Sequence, residues 1–580
     1  MKRFLLAILS VALLTGCSAA ADENAIRAGK LVLEAPTLLC LGVRWYVSGD
    51  RNENATVEMS YRQRGEATWH PALPLLRVGS TGNGEERMAA TGDRGWPFEM
   101  GNYFAGSVFD LQPATDYELR LVMSDPDGGK ATEVVSARTR AVPVAPRPRR
   151  TLHVVPGAGG GAGAKDDPFR GLASAEAAVA PGDLMLVHAG VYPGTWTTAK
   201  SGTQEAPIVW RGAGDGETVI DGGGAERGVN ANEVAYVFFE NLSVRNSDFG
   251  LVAHGAQSLT VQRCHFYDNG YGFTADRGTE RALYLADNLI EGRSTWPVKG
   301  PKGDEEDRRG VQIGGQGHAV CYNRVRGFGK VYGDGIDITG PGPNRAIDFY
   351  NNDVSECTDD AFELDTGWSN VRAFRNRITN CFEGISTQPV HGGPAYIFRN
   401  VMYNLDYTSF KMHNNTRGML YFHNTVVKRG MPWPLSTSAD VARAVSRNNL
   451  YLGTQADYAM EFSPPMAKCD FDYDGFGGGP FPRFLKWNKL TYATLAEVHE
   501  KAPVERHASL LDVATAFASG VRPPDKYEIA APVPDLRLGA KSGAIDRGAL
   551  LPNINDGYRG KAPDLGAYEY GQPLPHYGPR

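Results

Sequence analysis

The chain of 580 residues carries little excess charge of either sign: 60 Lys and Arg stand against 66 Asp and Glu, a formal charge of −6. Without a basic surplus it lacks the electrostatic footprint of a nucleic-acid binder, and no nucleic-acid partner is expected. Cysteine is sparse, seven in all, and none stands in the CxxC spacing of a metal site. Beyond the first sixteen residues no apolar run is long enough to cross a bilayer. What is abundant is glycine, 69 residues, and tyrosine, 25. At this length more than one domain is expected.

The N-terminus reads as an export signal. Lys2 and Arg3 are followed by an apolar stretch from Phe4 to Leu14, too short for a stable membrane span. Leu14-Thr15-Gly16-Cys17 comes next and resembles the lipobox of bacterial lipoproteins. The resemblance implies cleavage after residue 16, lipidation of Cys17 and export. Ser18 rather than Asp after the cysteine implies an anchor in the outer membrane. The lipid is then the chain's one tie to a membrane, with residues 17–30 as a tether.

Residues 31–142 alternate apolar and polar side chains, as in Val43 to Val47 and Val57 to Tyr61, the pattern of half-buried strands. Leu111-Gln112-Pro113-Ala114-Thr115-Asp116-Tyr117 resembles the tyrosine-corner region of fibronectin type III domains, with Trp45 at the place of their core tryptophan. The resemblance implies a small β-sandwich, often a spacer. Residues 143–150, rich in Pro and Arg, read as a linker.

From residue 151 a repeat emerges. An Asn followed by an apolar residue recurs at Asn241, Asn288, Asn323, Asn352, Asn376, Asn400, Asn424 and Asn449, with Cys264 filling the first gap. The spacings are 23, 24, 35, 29, 24, 24, 24 and 25, which is one coil per period with two insertions. An inward Asn at each turn would bond the backbone of neighbouring coils and stack into a ladder. The pattern resembles the pectate-lyase-like superfamily, and so do Pro181 to Tyr192 and the tail segments Ala544 to Gly548 and Pro563 to Glu569. The resemblance implies an all-β fold over residues 151–580, a right-handed parallel β-helix. An irregular cap is expected over residues 465–540, with a helix near Thr491 to Glu500.

A second strand follows each ladder position: Gly310 to Ile313, Gly335 to Ile338, Ala361 to Leu364, Gly384 to Thr387 and Ser409 to Met412. Alternation sends Val311, Ile336, Phe362, Ile385 and Phe410 inward. Gln312, Asp337, Glu363, Ser386 and Lys411 then point outward, one per coil, about 4.8 Å apart. Thr339, Asp365, Gln388 and His413 follow them, and Asp334, Asp360 and Glu383 stack just before the strands, with Asp359 beside Asp360. So many like charges on one external face call for a counter-ion, and Ca²⁺, which takes six to eight oxygens, fits the residue types.

Asp334 with Thr358-Asp359-Asp360-Ala361-Phe362-Glu363 resembles the calcium segment of family 9 pectate lyases, although Ala361 stands where Gly is usual and Glu363 where Asp is. The resemblance implies Ca²⁺ ligands among Asp334, Asp337, Asp359, Asp360 and Glu363, and Lys411 or His413 as the base in β-elimination of a uronic-acid glycan. Arg309, Tyr407 and His391 are candidates to protonate the leaving oxygen. Gln312, Gln388, Asp365 and Arg308 are candidates for binding an acidic polysaccharide. Lys411, two coils from Glu363, should stand about 10 Å away, leaving room for a sugar ring.

Two other readings remain open. Asp334, Asp337, Asp359, Asp360 and His391 could form an inverting site like that of polygalacturonases, but that family's Gly-His-Gly and Arg-Ile-Lys segments are absent. A non-catalytic, lipid-anchored glycan-binding or structural protein is the third, with Trp296, Tyr332, Trp368, Tyr403, Tyr407, Trp433 and Trp487 available for stacking. A charged insertion from Trp296 to Arg309 is expected to wall the site. Cys357 and Cys381 should stack on adjacent coils, bonded or simply filling the core. In every case the chain is expected to act as a monomer.

Overall fold

The computed structural model describes residues 23–79, 101–294, 296–297, 308–328, 333–435, 440–454 and 456–580. Among these the chain is nearly all β. Its three α-helices are Leu172–Ala178, Leu495–Lys501 and Val513–Ala516. No helix there is long and apolar enough to cross a membrane. Cys17, Tyr332 and most of the charged insertion lie outside the described residues.

From Arg150 onward the chain winds into a parallel β-solenoid. Sheets of fourteen and twenty strands run along it, each strand pairing with its counterpart one coil on. The asparagine ladder runs up the inside. Each Nδ2 donates to the next Oδ1 at 2.9–3.1 Å, from Asn288 through Asn323, Asn352, Asn376, Asn400, Asn424 and Asn449 to Asp474. The same amides satisfy backbone carbonyls that the turns would otherwise strand, as Asn376 does for Phe349 at 2.9 Å.

The ladder departs from expectation at its two ends. Asn241 is exposed and takes a left-handed turn conformation, φ 53°. Leu242 holds the ladder position there, since its carbonyl accepts from His265 as that of Cys264 accepts from Leu289. At the far end Asp474 replaces Asn, and coils continue through Asp470–Asp472, Gly475–Gly479 and Ser509–Leu511. Leu495–Lys501 is the expected helix, with Thr494 accepting from the Glu497 amide.

The rest of the tail is a strap more than a cap. It runs back along the outside of the solenoid. Outward asparagine amides at left-handed turn positions hold it: Asn404 donates to the carbonyl of Tyr527 at 3.1 Å, Asn380 to Ala531 at 3.0 Å, and Asn351 to His576 at 2.8 Å. The strap ends with Arg580 paired to Asp287 at 2.7 Å. All six described cysteines are free thiols, and Cys357 and Cys381 fill the core column rather than cross-link it.

Before the solenoid stand two four-stranded antiparallel sheets. They share a core in which Val43 and Trp45 of one meet Val57, Leu119 and Leu121 of the other. Tyr117 Oη accepts from the Gln112 amide at 2.9 Å, closing the turn where the sequence suggested a tyrosine corner. This unit is not a free spacer. The Ser107 amide donates to Tyr396 Oη at 3.0 Å, and the Phe109 amide to Asn553 Oδ1 at 2.7 Å, both deep in the contact with the solenoid.

A carboxylate-lined candidate active site

Parallel pairing sets the column that the sequence predicts. Gln312 aligns with Asp337, Asp337 with Glu363, Glu363 with Ser386 and Ser386 with Lys411. Their neighbours Val311, Ile336, Phe362, Ile385 and Phe410 are fully buried in the core. Three residues before the column, Arg309 aligns with Asp334, and Asp360 with Glu383. The Asp360 amide donates to Asp334 Oδ1 at 3.1 Å, tying two coils together.

The acids form a buried cluster, not a solvated external face. Asp337 and Asp360 are each 1% exposed, Asp334 3%, Glu383 4% and Asp365 5%. Two cations lie across them. Arg309 Nε stands 2.5 Å from Asp337 and 3.3 Å from Asp334, and Nη2 is 3.8 Å from Glu363. Lys411 Nζ stands 2.7 Å from Asp360, 3.2 Å from Glu383 and 3.9 Å from Asp359. The long lysine stem thus reaches back over two coils and touches the acids directly. The expected ring-sized gap between lysine and carboxylates is absent. Glu383, assigned no role in the sequence, is one of the three partners that define Lys411.

Among the described residues, seven carboxylates lie around these two cations. Burial, reinforced by repulsion from Glu363, drives the Asp334 carboxyl well above its ordinary range. Burial drives Asp360 up despite the attraction of Lys411, and Asp365 up with repulsion from Glu363. Burial also raises Glu383. Glu363 goes the other way: burial pushes it up, but Arg309, a hydrogen bond with Asp365 and Lys411 together hold it down. Lys411, although burial opposes its charge, is held protonated by Asp360, Glu383 and Asp359.

A hard dication suits such a site. Asp334, Asp359 and Asp360 each offer an oxygen within 4.8 Å of the others, and so do Asp334, Asp337 and Glu363. Arg309 already spans the second group, and Lys411 contacts Asp360 and Asp359 of the first, so an ion there would share their oxygens with Lys411. Asp360 Oδ1 is buried there without a hydrogen-bond donor, an oxygen that a metal ion would satisfy.

The electrostatics carry a testable consequence. A carboxyl raised in the folded chain keeps a proton that the unfolded chain has released. Its contribution therefore falls as pH rises from the ordinary carboxylate range near about 4 upward. With chelator present, Asp334→Asn is expected to unfold at a temperature that gains on the parent steadily as pH rises. A gain that shrinks with pH would contradict the raised Asp334.

The remaining candidates divide. His413 is half-buried beside Lys411; burial and that ammonium lower its pKa, leaving a neutral imidazole near neutrality. His391 stands apart. It packs edge-on to Trp368 at 6.5 Å, and burial alone pushes it down to about 4. Asp365 accepts from Ser386 Oγ at 2.8 Å and from the Gln388 amide, so it braces the wall. Gln388 Oε1 is buried without a hydrogen-bond partner, and Gln312 is half-buried beside Asp337. Arg308 turns away toward the preceding coils, its Nη1 1.8 Å from where a Cβ on Gly270 would sit. Of the aromatic candidates, Trp433 and Trp487 are core residues. Trp368 is 7% exposed, and Trp296 and Tyr403 hold the strap at Tyr527 and Arg522. Tyr407, 42% exposed, faces solvent.

Comparison with known proteins gives a lipoprotein signal. Residues 1–18 match the prokaryotic membrane lipoprotein lipid attachment site. No curated protein matches the chain. Among solved structures it is similar to an alginate lyase from Paenibacillus sp. str. FPU-7, at 15% identity over 55% of this chain and 98% of that one, TM-score 0.30. A Yersinia enterocolitica family 28 exopolygalacturonase matches at 12% identity over 76% and 96%, TM-score 0.27. The catalytic domain of a GH87 α-1,3-glucanase, in complex with nigerose, matches at 9% over 80% and 91%, TM-score 0.23. At these identities and TM-scores the likenesses do not bear on activity.

Proposed function

We propose that the chain is an exported, lipid-anchored polysaccharide lyase that cleaves a uronic-acid glycan by β-elimination at the carboxylate cluster, with Ca²⁺ held by Asp334, Asp359 and Asp360. Cys17 carries the anchor, and Ser18 after it favours the outer membrane. A fibronectin type III-like module docks on the outside of a right-handed β-helix. The observation that carries this reading is the trio Asp334, Asp359 and Asp360, whose oxygens lie within 4.8 Å of one another, with Asp360 Oδ1 buried and without a hydrogen-bond partner.

Bound there, the ion would hold the substrate's carboxylate and stabilise the anion that forms when C5 is deprotonated. Lys411 supplies the basic nitrogen, and His413 beside it is the competing base. Charge on Asp360, Glu383 and Asp359 is what keeps Lys411 protonated, so drawing that charge away lowers its pKa. Arg309, 7% exposed among the acids, is the candidate electrostatic partner of the leaving oxygen.

A second reading has its own support. Glu363 is held down while Asp360 is pushed up, the split of a base and an acid in hydrolysis by two carboxylates. The deciding experiment incubates purified protein with a panel of uronic-acid polysaccharides, with Ca²⁺ or with chelator. A Ca²⁺-dependent rise in ultraviolet absorbance from an unsaturated sugar supports the lyase. New reducing ends without that absorbance sink it and favour the hydrolase. If the trio binds Ca²⁺, a hundredfold excess over Kd should also stabilise the fold by about 3 kcal/mol.

A further inference from the structure

The outward column does not stop at Lys411. On the next coil Trp433 packs on Phe410 at 4.9 Å between ring centres, and Ser409 Oγ donates to the Pro432 carbonyl at 2.7 Å. That register puts Pro434 next after Lys411. Pro434 lines a cavity of about 270 Å³, together with Tyr407, Lys428, Arg429, Met431 and Tyr527.

Its chemistry is opposite to that of the acidic cluster. Lys428 is 2% exposed, and Nζ donates to the carbonyls of Arg429 and Met431 at 2.7 and 3.0 Å. An ammonium has three protons, so one donor remains. Arg429 is exposed at the rim and has no ion pair among the described residues. Asp406 also lines the cavity and partly offsets Lys428; burial raises its carboxyl, favouring the form that hydrogen-bonds without charge.

Aromatic surface completes the cavity. Tyr407 lies flat against Phe382, at 5.8 Å and 16°, and is held by its amide donating to the Phe382 carbonyl at 2.8 Å. Tyr527 comes from the strap and is fixed edge-on by Trp296, whose Nε1 donates to its carbonyl at 2.8 Å. The return strap therefore builds one wall of a pocket beside Lys411. Rigid aromatic faces with a few convergent polar groups are what a sugar ring requires.

We propose that this cavity is a subsite holding one anionic sugar unit, its ring against Tyr407 and its carboxylate or sulfate ester facing Arg429 and Lys428. The placement rests on reading the neighbouring cluster as the reactive site, but the subsite's own test is binding. An anionic glycan is repelled by the acids, so a cationic pocket one coil away anchors it where the cluster alone would not.

The test is calorimetric titration of the full chain in chelator, where a cation-dependent cleavage is silent. Three probes are used: an oligogalacturonate, a sulfated galactan oligosaccharide without uronate, and a neutral maltooligosaccharide. At least one anionic probe should bind and the neutral one should not. Binding of only the uronate assigns the carboxylate, and of only the galactan the sulfate. Arg429→Ala and Tyr407→Ala, both at exposed positions, should each weaken binding by about tenfold. Lys428→Met should do the same, with thermal unfolding checking that this buried site still folds. No binding by any probe, equal binding of the neutral one, or undiminished binding in Arg429→Ala overturns the subsite. Binding of the oligogalacturonate without its cleavage when Ca²⁺ is restored overturns the lyase instead, and cleavage untouched by Arg429→Ala overturns the subsite and spares the lyase.

Discussion

Lys411→Ala is expected to lower turnover by about 10²- to 10⁴-fold, the range for loss of a positioned general base, with substrate binding much less affected. The lysine touches Asp360 at 2.7 Å and Glu383 at 3.2 Å, so alanine also removes one of the cluster's two cations among the described residues. A fall in rate alone would therefore not separate proton transfer from charge balance. Lys411→Arg does. Arginine keeps the positive charge and cannot give up its proton near neutrality. If Lys411 is the base, the arginine variant should be as poor as alanine while recovering its thermal stability. If arginine restores turnover, the lysine serves only as a counter-charge and the base passes to His413. His413→Ala, near-silent under the first outcome, should then be the disabling change.

The repeat was legible because it is local and periodic. Asn352, Asn376, Asn400 and Asn424 recur every 24 residues, and strand alternation alone sorts Phe362 inward from Glu363. The outward column and the turn acids follow from the same register. Other features depend on contacts distant in sequence. Nothing in the spacing says that Lys411 folds back over 51 residues onto Asp360, so the acids read as an external face calling for a metal ion, with no role assigned to Glu383. Asn241 misled because Asn also favours left-handed turn positions. Trp433 and Trp487 read as sugar platforms because aromatic type does not reveal which face of a coil a residue occupies. The strap was invisible for the same reason: Asn351, Asn380 and Asn404 look like ordinary turn residues until Ala531 and His576 arrive beside them.

The junction between the N-terminal unit and the solenoid carries the second large effect, on stability. Arg372 and Asp348 are both fully buried, 2.5 Å apart. Arg372 Nη1 also donates to Ser107 Oγ at 2.9 Å, Ser107 donates to Asn370 Oδ1 at 2.7 Å, and Asn370 Nδ2 donates to Glu34 Oε2 at 2.8 Å. Arg44 pairs with the same Glu34 at 2.9 Å. The chain of contacts alternates donors and acceptors across the junction, although Asp348 Oδ2 and Arg372 Nη2 are buried without a hydrogen-bond partner. Arg372→Met keeps the volume but leaves Asp348 buried without a counter-charge, which should cost about 3–5 kcal/mol. Removing both charges, as Arg372→Met with Asp348→Leu, leaves no uncompensated ion and should recover most of that loss. Chemical denaturation of the three variants decides it. A single variant as stable as the parent would mean that water reaches Asp348. A double variant no better than the single would mean that Ser107 and its partners, rather than the ion pair, hold the two units together.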